Sequence, residues 1–319
     1  MVKKEFEIPE RLMKIEALRR RLPETHPIFP KIDGEYRGRL AGYRGEKSLL
    51  YYFSFLDEKK YRILHNLRLP DSKSDHFFEI DTLIISFKLL IPIDAKNHRG
   101  ELYFDDLFDQ LIQTFENTKK SYDSPLAQIN RHQFQLRQLL QTYKFPQVPI
   151  TPLLVLTNSS AIESASENHR KAEKITKSPN LLSKITRLEK QYKLENMDNK
   201  QLLKLSKLLL KLHTPYDKSA PEEFGIHENE LLKGVRCSEC SVLPMKRIAK
   251  KWVCTSCGFS SKSAHFSAIN DYKLLIGNTI TNQKLRDFLQ LTSRSAATRI
   301  LQSLNISYTG EKKGRVYYL

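Results

Sequence analysis

In the first 38 residues, Leu12, Ile15, Leu18 and Leu22 recur at three-to-four spacing, which predicts a short helix. Pro23, Pro27 and Pro30 follow and predict a connector. Between 42 and 157 the periods mix. They predict a helix beginning near Gly45, a strand over 61–67, a strand pair over 77–86 and 90–96, a helical segment over 105–119, a longer helix over 125–143 and an apolar strand over 148–156. Strands and helices interleaved at these lengths make one α/β domain. Residues 158–166 are polar, 200–212 are dense in Leu and Lys on a helical period, and 214–223 hold two prolines. The stretch 158–230 therefore reads as a helical linker, with the Leu stripe a packing face rather than a membrane-binding one.

Charge adds a partner class. The formal net charge is +17, and 231–319 hold 15 Lys and Arg against 4 Asp and Glu, so most of the excess lies there. Such an excess attracts polyanions, nucleic acid before others, although a merely solvated basic surface is the plain alternative. No apolar run approaches the ~20 residues that span a bilayer. The longest, around Leu89-Leu90-Ile91-Pro92-Ile93, is interrupted by Pro92 and ends at Asp94. The opening Met1-Val2-Lys3-Lys4-Glu5-Phe6-Glu7 has no apolar core of a secretory signal. The expectation is a cytoplasmic protein with no membrane partner.

The candidate chemistry centres on the strand pair. Both segments are too short and too β-branched for helices, so a hairpin is the economical reading. Residues two apart on a strand share a face, which points Asp94 and Lys96 the same way. A two-residue turn at Phe87-Lys88 sets Asp81 directly opposite Asp94. A three-residue turn shifts that by one, and the loop lacks the Gly or Asn that would decide. Facing carboxylates repel. A divalent cation would justify them, because Mg2+ takes a few carboxylate oxygens together with water and phosphate. Lys96 would offer positive charge to a developing phosphorane. The alternative is an ordinary Asp94–Lys96 ion pair at the solvent edge.

An Asp, about a dozen residues and then Asp-X-Lys on a hairpin resembles the PD-(D/E)XK nuclease superfamily. Within it, four motifs resemble the nuclease-related domain (NERD) family in order and spacing, over about 38–157. They are Gly42-Tyr43-Arg44-Gly45-Glu46, Glu79-Ile80-Asp81, Ile93-Asp94-Ala95-Lys96-Asn97 with Gly100, and Ser124-Pro125-Leu126-Ala127-Gln128. The resemblance implies a restriction-endonuclease-like mixed sheet flanked by helices. It also implies that Glu46, Asp81 and Asp94 surround a catalytic Mg2+ or Mn2+, that Lys96 is the catalytic lysine and that Gln128 reaches the same site from the later helix. Two positions depart from the family's usual pattern: Asp94 stands where it has Glu, and Leu89 where it has Gly in the turn.

Cys237, Cys240, Cys254 and Cys257 form two CxxC pairs thirteen residues apart, with Gly258 after the second. Four thiolates at this spacing close a tetrahedral Zn2+ shell without room for water, so the predicted ion is structural. The tight pairing suits a reducing compartment better than disulfides. Between the pairs lie Lys246, Arg247, Lys250, Lys251 and Trp252, and the whole looks like a zinc ribbon.

Beyond it, helices near 263–276 and 281–290 precede a third that begins at Thr292 or Ser293, either a good N-cap. The last two resemble a helix-turn-helix with Arg294, Ser295, Thr298 and Arg299 on the exposed face. The tail 306–318 fits a small hairpin bearing Lys312, Lys313 and Arg315, like the wing of a winged helix. Generic three-helix packing is the alternative.

The expected organisation is α/β with five parts: an N-terminal helical extension (1–37), the nuclease-like domain (38–157), a helical linker (158–230), a four-cysteine zinc ribbon (231–262) and a winged-helix-like domain (263–319). The expected function is metal-dependent phosphodiester hydrolysis on DNA, targeted by the C-terminal modules. The other class in view is a DNA-binding regulator on a silent nuclease fold.

Overall fold

The structure, a computed structural model, describes residues 2–165 and 172–319. The chain opens with β1 (Val2–Lys4), α1 (Glu10–Arg21) and the long helix α2 (Phe29–Phe53). It continues through β2 (Arg62–Pro70), β3 (Phe77–Ile85), β4 (Leu90–Lys96), β5 (Glu101–Asp105), β6 (Gln110–Phe115), β7 (Thr118–Asp123), α3 (Pro125–Thr142), β8 (Leu153–Leu156) and β9 (Ile162–Ala165). Next come β10 (Ile175–Lys177), α4 (Leu181–Gln191), α5 (Asn199–Leu212) and α6 (Ala220–Glu223). The rest is β11 (Lys246–Ile248), β12 (Lys251–Val253), β13 (Ser260–Ser261), α7 (His265–Leu275), β14 (Thr279–Thr281), α8 (Asn282–Leu289), α9 (Arg294–Ser303), β15 (Tyr308–Thr309) and β16 (Val316–Tyr318). Two compact units result, Met1–Pro9 with Arg39–Tyr216 and Glu10–Gly38 with Asp217–Leu319.

The first unit is built on a mixed sheet in the order β1-β2-β3-β4-β8-β10. Strands β2, β3 and β4 form an antiparallel meander, while β1, β8 and β10 join in parallel. Helices cover both faces. Leu136 and Leu140 of α3 and Leu202, Leu205 and Leu209 of α5 pack with Leu67, Leu83 and Ile85 on one side. Leu49 and Phe53 of α2 and Leu181 and Ile185 of α4 pack with Ile84, Ile91, Ile93 and Val155 on the other. That double burial is why these strands read as apolar runs rather than alternations. The α/β class with a helix-flanked mixed sheet is thus the observed one.

Two elements differ from the sequence expectation. Helix α2 starts at Phe29, not near Gly45, because Pro30 sits in its first turn, where a missing N–H costs no hydrogen bond. The stretch 105–119 is not helical. It lies in a four-stranded sheet, β7-β6-β5-β9, whose β6–β7 turn is made by Glu116 and Asn117, both at positive φ, as a two-residue hairpin turn requires. Leu111 and Phe115 stand four apart and imitate a helical period, and only Asn117 hinted at the turn.

The expected parts also join differently. Residues 158–216 belong to the first unit: β9 and β10 extend its sheets and α5 covers one face. Residues 166–171 of that stretch lie outside the described residues. In the second unit, α1 is no free extension, since Ile15, Leu18 and Leu22 pack with Ile226, Leu231 and Leu275. The Arg21 guanidinium, 1% exposed, bonds Asp271 at 2.8 Å and the Gly234 carbonyl at 2.7 Å. No core boundary falls at 262/263 either. Trp252 and Cys254 share one cluster with Tyr272, Phe288, Ile300 and Tyr317.

Each unit buries a neutral histidine. His65 sits against Phe53 and Phe6 with Nδ1 3.0 Å from the Thr82 hydroxyl, and His265 Nδ1 accepts the Trp252 indole N–H at 3.1 Å. Burial, helped by the charges of Lys4 and Arg247 respectively, pushes both down to about 4. A folded-state value below the unfolded ~6.5 means that protonation opposes folding. Stability should therefore be lost as pH falls from 6.5 towards 4, by on the order of 3 kcal/mol per ring. Urea midpoints at pH 7 and pH 4 for wild type and His65→Phe check this. An identical pH dependence in the two proteins would remove His65 from it.

Candidate active site

The sheet brings the predicted acids together through one register and one irregularity. Strands β3 and β4 pair from Thr82↔Ile93 to Ile85↔Leu90, closed by the Ser86 N–H donating to the Leu89 carbonyl at 3.0 Å. Of the two turns open from the sequence, this is the two-residue one. The next position along would set Asp81 opposite Asp94, but the pairing stops there. Asp81 instead turns its Oδ2 to the Ala95 N–H at 2.8 Å. On its other side the β2–β3 ladder runs through His65↔Thr82 and Leu67↔Ile80 and skips the position between, where Asn66 stands at φ +50°. Residues 78 and 80 face the same cluster as 83 and 85, so the in–out alternation slips by one at Asp81. The slip acts as a β-bulge does and re-aims one side chain.

Asp94 is 4% exposed, on the same strand face as Lys96. Lys96 Nζ lies 2.8 Å from Asp94 Oδ2 and donates to Gln128 Oε1 at 3.2 Å, while Gln128 Nε2 donates to Asp94 Oδ1 at 3.1 Å. The three side chains close a triangle. Gln128 is aimed by the start of α3: Ser124 caps it by accepting the Ala127 N–H, Pro125 occupies the first turn, and Leu126 and Ile129 are buried beneath β5 and β8. Glu46 comes from α2 and is brought close by Gly45. A Cβ there would lie 2.5 Å from Thr157 Oγ1 and 2.8 Å from Asn97 Cβ. Asn97 ties the same turn by donating to the Ala41 carbonyl at 2.8 Å. The sequence reading missed Asn66, whose buried Oδ1, beside the Asp81 break, has no hydrogen-bond partner among the described residues.

The electrostatics follow from three acids around one base. Burial, then the charge of Asp94, pushes the Glu46 carboxyl up to about 7 despite Lys96. Burial, Asp94 and Glu46 hold Asp81 well above the usual carboxylate range. Burial alone would lower Lys96, but Asp94 and Asp81 hold its ammonium above the ordinary value. Asp94 Oδ2 is buried, and among the described residues it meets the Lys96 ammonium and makes no hydrogen bond. A buried carboxylate whose Oδ2 is met by one ammonium, among acids that resist ionising together, fits a divalent cation. Among the described residues, only the four cysteines gather three or more ligand atoms within 4.8 Å of one another. Glu46, Asp81 and Asp94 do not gather that closely.

At the second predicted centre, Cys237 and Cys257 sulfurs lie 3.6 Å apart and those of Cys240 and Cys254 3.4 Å. A tetrahedral ion with bonds of ~2.3 Å needs edges of roughly 3.8 Å, so the cluster could bind Zn2+ with little adjustment. The two knuckles are built alike. In each the first Cys carbonyl accepts from the residue four on (Ser241, Gly258) and its N–H donates to the residue five on (Val242, Phe259). Ser241 and Gly258 take φ +65° and +75° to make this turn. Strands β11, β12 and β13 complete the three-stranded ribbon.

In the C-terminal part, α8 ends on Gln290 in the left-handed region, and Ser293 caps α9 by accepting the Ala296 N–H. Arg294, Ser295 and Arg299 are exposed on α9, as is Lys312 beyond it. Thr298 is half-buried and accepts from Asn282 Nδ2 at 2.9 Å. Arg315 lies over the Tyr308 ring at 4.2 Å. The Lys313 side chain lies outside those described. No helix among the described residues is long and apolar enough to cross a membrane.

Residues 41–157, the segment that holds the acids, Lys96 and Gln128, match the family model of the nuclease-related domain, NERD. This segment, somewhat over a third of the chain, is similar to the nuclease-related domain. An uncharacterized protein of Bacillus anthracis is 29% identical over 91 residues, 28% of this chain and 42% of that protein, so the chain spans less than half of that relative's length. No solved structure matches.

Proposed function

We propose that the 41–157 domain is a divalent-metal-dependent nuclease acting on DNA. The observation that carries this reading is the buried Asp94, whose Oδ2 is ion-paired with Lys96 and whose Oδ1 accepts from Gln128, beside two carboxyls that burial and Asp94 keep from ionising freely. Glu46, Asp81 and Asp94 would hold Mg2+ or Mn2+, which when bound activates water and stabilises charge at phosphorus and on the leaving oxygen. The chain's own part is positional. Ala95 N–H fixes Asp81, Gln128 fixes Asp94, and Lys96 Nζ presents positive charge where a phosphoryl oxygen gains negative charge. The basic C-terminal part supplies sequence-independent attraction, with Arg294, Ser295, Thr298, Arg299, Lys312, Lys313 and Arg315 as the helix-turn-helix and wing contacts.

The test incubates wild type and Asp81→Ala with plasmid DNA and Mg2+ or Mn2+. Nicking by wild type and none by the variant is expected. Equal residual activity in both would remove the enzymatic reading and leave a DNA-binding regulator on a silent nuclease fold.

A further inference from the structure

The small sheet beside the acids has two unlike faces. By register, Leu102, Phe104 and Leu111 point to one side, where they are buried against Leu126 and Ile129 of α3, the helix that carries Gln128. Gln113, Phe115, Lys120 and Tyr122 follow on that same side along the projecting β6–β7 hairpin, which there carries no acid. The opposite side carries Glu101, Asp105 and Asp123 together with Tyr103 and Lys119. The alternation of Thr118-Lys119-Lys120-Ser121-Tyr122-Asp123 thus places Lys120 and Tyr122 on the face shared with the α3 core and Lys119 on the other.

This face is held in place. The Tyr122 ring is 38% exposed and lies 5.0 Å from the His98 ring, two residues past Lys96. Its hydroxyl donates to Gln113 Oε1 at 3.0 Å, and Gln113 Nε2 donates to the Arg99 carbonyl at 2.7 Å. Gly100 makes the bend with φ +76°, and a Cβ there would lie 2.2 Å from the Thr114 carbonyl oxygen. The His98 ring is kept neutral by burial and by Lys96.

We infer that this face carries unpaired nucleotides of the substrate into the acidic site, bases stacking on Tyr122 and phosphates meeting Lys120. The inference rests on the nuclease reading above. A duplex hides its base faces and offers phosphates and groove edges, so a fixed, half-exposed ring pair next to an ammonium matches a single strand better.

The test uses the full chain carrying Asp81→Asn and fluorescence anisotropy with a labelled single-stranded DNA oligonucleotide and its blunt duplex. Tyr122→Ala should weaken single-strand binding by about 5- to 100-fold, the range of one base–aromatic stack, and leave duplex binding unchanged. Tyr122→Leu should match the alanine variant, Tyr122→Phe should bind like the parent, and Tyr103→Ala on the opposite face should change nothing. Lys120→Ala should reduce the single-strand salt slope by about 0.7. Parental single-strand binding by Tyr122→Ala, or equal losses on both DNAs, overturns the inference. The nuclease reading fails separately. A chain with Tyr122-dependent strand binding that cleaves nothing keeps the binding face and loses the enzyme, whereas cleavage by wild type with indifferent Tyr122 variants does the reverse.

Discussion

Lys96→Met should leave a folded protein whose metal-dependent DNA cleavage falls about 100- to 1000-fold, the cost of removing one donor aimed at developing charge. Methionine keeps most of the stem, so packing is little disturbed, while Asp94 Oδ2 loses its partner at 2.8 Å. Metal affinity, read by calorimetry, should not fall, because the +1 charge that competed with the ion is gone. The pH profile separates this from general damage. Glu46 holds its proton up to about 7, above the usual carboxylate value, so the ion gains its ligand as pH rises through that value. Lys96 opposes that upward shift, and its loss should move the rise in activity to higher pH. Wild-type rates in the variant would take Lys96 out of the chemistry. Loss of rate together with loss of metal binding would make it a structural residue.

The hairpin and its partners were legible because they depend on local rules. Two β-branched runs around three residues, with Asp94 and Lys96 two apart, constrain the register to two alternatives, and Ser86–Leu89 closure selects one. Gln128 was reached only through the motif shared with a family, and Ser124-Pro125 starts the helix that carries it. What was not legible depends on contacts distant in sequence. The slip at Asp81 needs Asn66 at positive φ on another strand, and neither residue announces it alone. Gly34, Gly38, Gly42 and Gly45 look like breakers in α2, yet Gly45 is there so that the helix can touch Thr157 and Asn97. The small sheet was read as a helix because Leu111 and Phe115 satisfy either period. Glu46 was found through the motif it shares with a family, since burial next to Asp94 is invisible in a one-dimensional pattern.

Domain boundaries depend on the same kind of long-range contact. Composition marks 1–37, 231–262 and 263–319 as different in character, but apolar side chains from all three complete one another. Leu18 packs with Leu231 and Leu275, and Arg21 crosses 250 residues of sequence to reach Asp271. Each piece is too small to bury its own apolar face, so shared cores are the physical solution.

That sharing sets the size of the last effect. Removing metal from the cysteine cluster should unfold more than the ribbon. Cys237 and Cys254 are almost wholly buried and belong to the cluster that includes Ile269, Leu285, Phe288 and Leu301 of α7, α8 and α9. A structural Zn2+ site is worth about 10–16 kcal/mol at neutral pH, comparable with or above the roughly 5–15 kcal/mol that keeps a whole domain folded. Chelation, or Cys254→Ser, is therefore expected to melt β11–β13 and loosen α7–α9 together. The chain's single tryptophan reports it directly. Trp252 is 1% exposed, its indole donates to His265 and Arg247 lies over its ring at 5.0 Å. Its emission should shift to the red as one zinc per chain is released to a colorimetric chelator. DNA binding that depends on α9 should fall in step. Unchanged emission after stoichiometric zinc release would mean that the thiolates staple nothing beyond their own knuckles. A protein that emits from a buried tryptophan and yields no zinc would show that the four cysteines hold this core without an ion.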